Sequence, residues 1–234
     1  MPEGRADEGG GSRRAPGRRT TPKAERTRAA ILEAAEALFA ERGFAATRLE
    51  DVAERVGIRR ASIVYYFKDK PELYDAVLGN VLEGLFAVIE PALRARAPVV
   101  ERIDLAVSAW IDFVGHRPTF ARLLLREIAG ASGPEGPTML RHTLPFVTLA
   151  REVTEEARSQ PVPFHSPVDP AHLASTIAGA TVFFVSAMPT LFPALEFDPL
   201  AKEQLDAHRA EVLRITHRLL GTNGDGPDAP EEDA

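Results

Sequence analysis

One glycine, Gly57, constrains this chain more than any other residue, because it separates two apolar runs that each have room for only about two turns of helix. Upstream, Leu49, Val52, Ala53 and Val56 recur at helical spacing. Thr47-Arg48-Leu49-Glu50 has the form of a capping box, the hydroxyl reaching the third amide while the glutamate reaches back, so a short helix is predicted to start here and to end at Gly57. Downstream, Ile58, Ile63 and Phe67 restart the pattern and predict a second short helix over about Arg60 to Tyr66. Two short helices around a glycine turn form a helix-turn-helix.

The flanks extend this unit. Pro22 follows Thr21 as the first helical position follows its cap, and Ile31, Leu32, Ala35, Leu38 and Phe39 carry a helix as far as Gly43. Asp69 and Pro71 open a long helix, apolar at Leu73, Val77, Leu78, Val81, Leu82, Leu85 and Ile89, that is expected to end before Pro91. Further helices are predicted near 99–116, 118–130, 137–159, 170–187 and 199–220, with Asp169-Pro170 and Asp198-Pro199 as cap and first-turn pairs and Pro145 as a kink. Alternating strand patterns and fixed-period repeats are absent. The expected fold is all-α with about nine helices: an amino-terminal three-helix helix-turn-helix domain followed by a carboxy-terminal helical bundle.

Charge divides along the same line. Residues 1–70 hold 15 Lys and Arg against 11 Asp and Glu, a balance of +4, whereas residues 71–234 hold 13 against 23, a balance of −10. A basic module on an acidic body suits a polyanion at one end. Residues 1–21, with Arg5, Arg13, Arg14, Arg18 and Arg19 among Gly and Pro, read as a flexible basic arm; it attracts phosphates generally, inserts into a minor groove, or only solubilises. Residues 221–234 read as an acidic disordered tail. The absence of cysteine excludes disulfides and thiolate chemistry, and with no apolar leader the expected compartment is the cytoplasm. The uncharged stretch Leu173 to Leu195 is long enough for a bilayer, yet it holds five hydroxyl residues and two prolines and lies between His172 and Glu196. It is expected to be a helix buried on all sides, with no membrane partner.

The segment from Arg48 to Leu73, RLEDVAERVGIRRASIVYYFKDKPEL, resembles the DNA-binding signature of TetR-family transcriptional regulators. The preceding Ala37 to Phe44 fits the same pattern. Two positions depart from it: Arg59 stands where a small hydroxyl residue is common, and Val64 where a tyrosine is. In a helix-turn-helix the second helix enters the major groove. With Ile58, Ile63 and Phe67 inward, Arg60, Ser62, Tyr65 and Tyr66 face outward. Arg60 suits a guanine or a phosphate, and the tyrosine hydroxyls suit phosphate oxygens. Arg48 and Arg59 add charge, Thr47 can donate to a phosphate if its cap geometry allows, and the resemblance implies that Lys70 holds the flanking backbone. The expected DNA-binding unit is 22–70.

For residues 71–220 the resemblance implies effector binding and dimerisation through the last two helices. Ala201, Leu205, His208, Val212, Ile215 and Leu219 alternate at spacings of four and three, a seam for another helix, and Ala174 and Ala178 permit close approach. Intrachain packing is the alternative use of this seam. The effector pocket is expected among Trp110, Phe113, Phe120 and Met139, with Phe146 and Phe184, and with His142, Thr143, Thr181 or Ser186 as polar anchors. Catalysis is not expected. HExxH, GxSxG, P-loop and GxGxxG patterns are absent, no cofactor is implied, and the pairs Asp169/His172 and His208/Glu211 lack a third metal ligand. The resemblance implies a ligand-responsive regulator, a repressor released from a near-palindromic operator by a small, largely apolar effector. The alternative is a helical ligand-binding or scaffolding dimer whose helix-turn-helix no longer reads sequence.

Overall fold

The structure, a computed structural model, describes residues 21–130, 138–159, 169–195 and 197–222. The predicted arm and tail lie outside these residues but for Thr21, Gly221 and Thr222. Among the described residues there are helices and no strand. The helix-turn-helix comprises α1 (Pro22–Ala46), α2 (Leu49–Val56) and α3 (Arg60–Tyr66), and α4 (Lys70–Leu93) leads into α5 (Val99–His116) and α6 (Pro118–Gly130). Then come a 3-10 turn, η1 (Thr138–His142), α7 (Leu144–Ser159), α8 (Pro170–Ser186), the single turn α9 (Met188–Leu191), a second 3-10 turn, η2 (Pro193–Leu195), and α10 (Lys202–Leu220).

Local chemistry sets most of these boundaries. The Thr21 hydroxyl accepts from the Ala24 amide at 3.3 Å, Asp69 from Glu72 at 2.9 Å and Asp169 from Ala171 at 2.7 Å, each satisfying an orphan donor of a first turn. Gly57 takes φ 74°, ψ 33°, and the Ile58 amide closes onto the Ala53 carbonyl at 2.9 Å. This Schellman closure, which a side chain would strain, turns the chain from α2 into α3. Gly43, at φ 80° and ψ 171°, breaks the helical path of α1 as the sequence implies, and one further turn follows it.

Several expected boundaries moved. The cap of α2 is Arg48, not Thr47. Its amide donates to Asp51 at 3.1 Å, and because an arginine side chain has no acceptor, only the returning half of a capping box is present. Helix α4 runs through Pro91 to Leu93, since a proline in the last turn forfeits a single backbone bond. The helix expected over 137–159 is η1 followed by α7, and Pro145 stands in the first turn of α7, where its missing N–H costs nothing, so it kinks no helix. Asp198 does not cap α10. Its carboxylate accepts from the Leu200 amide at 2.9 Å in a turn that precedes the helix.

The stretch Leu173 to Leu195 is not one buried helix. It contains α8, whose 17 residues reach about 25 Å, short of a bilayer core of about 30 Å, and then breaks into α9 and η2. Ala174, Ser175, Gly179 and Phe183 on α8 are exposed. Among the described residues α4 alone is long and apolar enough for a membrane, and its apolar side, Leu73, Val77, Leu78, Val81, Leu82 and Leu85, is buried in the core instead. That core is continuous from Ile31, Phe39, Ile63 and Phe67 through α4 to Ile111, Phe120 and Val182.

Two polar ties fasten α1 to the body. The buried Glu36 carboxylate accepts from Arg117 Nε at 2.8 Å, from a second nitrogen of the same guanidinium and from Thr119 Oγ1 at 2.5 Å. Arg126 on α6 donates to the Ala40 and Glu41 carbonyls at 3.1 and 2.8 Å, satisfying acceptors left open where α1 breaks at Gly43.

Candidate nucleic-acid interface and effector region

Helix α3 is held by its inward residues. Ile63 is fully buried, Phe67 is 2% exposed and accepts the Arg28 guanidinium over its ring at 5.2 Å. The opposite side carries Arg60, Ala61, Val64 and Tyr65, all exposed, with Tyr65 at 61%, and Lys68 is exposed just beyond the helix. Ala61, Val64 and Tyr65 stand at i, i+3 and i+4, so this outward stripe was readable from spacing, although Ala61, Val64 and Lys68 were not among the expected site residues. Ser62 is half-buried. Tyr66 is half-buried against the core and edge-on to Tyr65 at 5.2 Å, rather than outward as expected.

Three expected DNA contacts have other partners. Thr47 is 1% exposed and its hydroxyl donates to the Gly43 carbonyl at 2.8 Å, so in this conformation it offers a phosphate nothing. Lys70 donates to the carbonyls of Phe44, Ala45 and Thr47 at 2.8, 3.3 and 3.1 Å, which takes all three ammonium protons and makes it a cap for the end of α1. Arg60 Nε pairs with Glu50 Oε1 at 2.9 Å across the α2–α3 corner. Arg48, Arg55, Arg59 and Lys68 are exposed.

The residues expected to line one effector pocket fall into three groups. Trp110, on α5, meets Phe120 of α6 edge-on at 5.7 Å, and Phe120 meets Phe113 at 5.5 Å. Met139, His142 and Phe146 lie against α4. The Met139 amide donates to Glu127 at 3.0 Å, His142 Nε2 lies 3.1 Å from Asp75, and Phe146 is edge-on to Phe86 at 5.3 Å. Tyr74 donates to the same Glu127 at 2.6 Å, and burial together with that carboxylate pushes its phenol well above the ordinary range. Thr181 and Phe184 form the third group with His208 of α10, 3.2 Å from the Thr181 hydroxyl and stacked on Phe184 at 4.3 Å. Ser186 Oγ and Trp110 Nε1 are buried without a partner among the described residues. No group of three or more His, Asp or Glu that could hold a metal occurs among the described residues.

Burial holds His208 below its ordinary pKa, with the Glu211 carboxylate opposing. The folded chain therefore binds fewer protons here than the unfolded one. Stability from neutral His208 is present above about pH 6.5 and is lost as pH falls through the depressed value. Chemical denaturation is expected to show a steeper loss between about pH 7 and pH 5 in the wild type than in His208→Asn. Parallel profiles would assign the pH dependence to other groups.

Sequence reasoning missed a cleft of about 510 Å³ at the end of α4, lined by Arg94, Ala95, Arg96 and Ala97, by Arg102 of α5, and by Leu149, Glu152, Val153 and Glu156 of α7. The guanidinium of buried Arg102 forks onto Glu156 at 2.7 and 3.0 Å, and Arg94 reaches Glu152 at 2.7 Å. These pairs join positions more than fifty apart in sequence, which no local pattern signals.

The middle of the α10 seam packs within the chain, and its end, Leu219, is exposed. Leu205 packs against Gly115 of α5 so closely that a Cβ there would lie 2.8 Å from its Cδ1, and Val212 is 3% exposed. Both were expected at a dimer interface and are intrachain contacts. Ile215 is half-buried. The small and apolar outward residues of these last helices include Ala174, Gly179 and Phe183 on α8 and Ala207, Ala210 and Leu219 on α10, beside exposed Lys202, Glu203, Glu211, Arg214 and Arg218, while Ala178 is half-buried.

Comparison with known proteins accords with this geometry. Residues 31–77 match the description of bacterial regulatory proteins of the tetR family, and residues 99–215 match the tetracyclin repressor-like C-terminal domain. The HTH-type transcriptional activator FasR of Mycolicibacterium smegmatis is 36% identical over 115 residues, 49% of this chain and 51% of FasR, so the chain spans about half the length of that relative. Among solved structures, the transcriptional regulator FadR of Bacillus subtilis in complex with stearoyl-CoA superposes with a TM-score of 0.63 at 18% identity, over 80% of this chain and 96% of FadR. AibR, in complex with isovaleryl coenzyme A and operator DNA, gives 0.63 at 19% identity, over 83% and 98%. These likenesses establish the shared fold, and the two matched segments, which include the helix-turn-helix and most of the helical body, establish that the chain belongs to the TetR family.

Proposed function

We propose that this protein is a sequence-specific DNA-binding transcriptional repressor, active as a homodimer and released from a near-palindromic operator by a small, largely apolar effector. The observation that carries this reading is the outward stripe of α3, with Arg60 and Tyr65 presented at the surface while Ile63 and Phe67 anchor the helix from behind. A stripe of that kind on a two-turn helix fits the major groove, its polar residues serving base edges and phosphates. In this reading residues 22–70 bind DNA and 71–220 bind effector and dimerise. The small and aromatic outward residues of α8 and α10 are the face on which a second copy packs, the exposed Phe183 and Leu219 being the large apolar side chains that such packing would bury.

For the effector, the interior groups supply apolar and aromatic surface together with two unpartnered donors, Trp110 Nε1 and Ser186 Oγ. FadR and AibR, which share the fold, were solved with stearoyl-CoA and isovaleryl coenzyme A, so an acyl chain, tested both free and on such a thioester, is the first apolar group to try.

The experiment is duplex binding by the purified protein, using fragments from around its own gene and a shuffled control, at low and near-physiological salt. A preference that persists at the higher salt supports the reading, and addition of the effector should then abolish it. Steep salt dependence without preference would favour a degenerate helix-turn-helix. Tyr65→Ala is expected to weaken operator binding about tenfold per half-site, the worth of one hydrogen bond to a charged oxygen, with the dimer unchanged by sedimentation. Unaltered affinity would remove Tyr65 from the contact surface.

A further inference from the structure

We propose that Glu50 is a specificity-determining residue of the DNA interface: it positions the Arg60 guanidinium to read a guanine in the major groove. This rests on α3 being the recognition helix. Arg60 is the first residue of α3, and the amino-terminal residues of a recognition helix are those that reach base edges. Its Nε lies 2.9 Å from Glu50 Oε1, in the first turn of α2, with both side chains more than half exposed.

An ion pair so open to water adds little to stability, so its consequence is geometric. The carboxylate lies nearest Nε, and in the proposed complex the two terminal nitrogens act as a fork. That fork matches the N7 and O6 acceptors of guanine.

The same contact argues against a phosphate as the target of Arg60. A carboxylate within hydrogen-bond distance of the guanidinium repels a phosphate, whereas beside a base pair it meets no such charge and can accept from the exocyclic amine of cytosine. Asp51, the next residue, is used differently: it accepts from the Arg48 amide at 3.1 Å and lies 3.5 Å from Arg42, within the protein. Glu50 is thus the acidic residue of this turn that is committed to the recognition helix.

The test is selection from a duplex library with a randomised core, by the full-length wild type, Glu50→Gln, Arg60→Ala and the double variant, followed by affinities for single-base changes in the selected site. Glu50 is a surface residue, and an unchanged urea midpoint will confirm that the variants fold. Glu50→Gln is expected to lose about tenfold in discrimination at one base pair and its symmetry mate, while affinity for unrelated duplex rises. Arg60→Ala should lose the same preference, and adding Glu50→Gln to it should change nothing further at that position. A uniform rise in affinity with the base profile intact would overturn the proposal, leaving Glu50 as charge alone. If the wild type selects no sequence at all, the recognition-helix reading itself fails and this assignment with it, an outcome visible in the wild-type arm before any variant is compared.

Discussion

Replacing Glu36 by alanine is expected to lower stability by about 3 kcal/mol. The Glu36 carboxylate is 6% exposed and receives two nitrogens of Arg117, at the carboxy-terminal cap of α5, and the hydroxyl of Thr119, in the first turn of α6. Removing it leaves a guanidinium that is 27% exposed without its counter-charge. Breaking a buried pair from one side costs about 3 to 5 kcal/mol, and the lower end applies because part of Arg117 stays in water. Urea denaturation monitored by helical circular dichroism measures this loss directly. Removing both charges, as in Glu36→Leu with Arg117→Leu, should recover most of it, since the desolvation cost disappears together with the attraction. A loss under about 1 kcal/mol in the single variant would mean that water screens the pair as it screens surface pairs. This tie and the Arg126 contacts link α1 to the helices that follow α4, so the variant is also expected to respond less to effector in duplex release.

The second large effect is expected at Phe67, where truncation to alanine should cost about 3 to 5 kcal/mol. The ring is 2% exposed at the carboxy-terminal cap of α3, where it closes the core behind the recognition helix. The vacated volume lies next to Ile63, so α3, with seven residues and few contacts of its own, loses the surface that orients it. Duplex binding should fail at temperatures where the α5–α10 body is still folded, and scanning calorimetry should show a separate, lower transition. Full affinity retained at 25 °C would show that α3 is held by other contacts. Phe67→Leu, which fills much of the volume, should fall between the two.

How much was legible in the sequence differs by residue for a physical reason. Gly57 announced its turn because a left-handed residue closing a helix is a matter of a few bonds nearby, and the same holds for Thr21, Asp69 and Asp169 as caps. Thr47 matched a capping pattern over four residues, yet its hydroxyl was drawn back to Gly43 and to Leu38 by the way α1 ends. Asp198 matched a cap equally well and closes a turn instead. Lys70 was expected at phosphates, but the carbonyls of Phe44 and Ala45, brought to it by the folding of α1 against α4, occupy its protons.

Periodicity carried the existence of an apolar face on α10 but not the identity of what covers it. Leu205 and Val212 show this, since a 3.6-residue repeat is the same whether the neighbour is α5 or another copy. The helix-turn-helix, the all-helical class and the family were therefore determined by the sequence itself, through short-range caps, turns and spacings. Only the tertiary structure decided that Glu50 faces Arg60, that Glu36 ties α1 to α6, and that Arg102 and Glu156 enclose a cleft, because each depends on where distant segments meet rather than on the residues beside it.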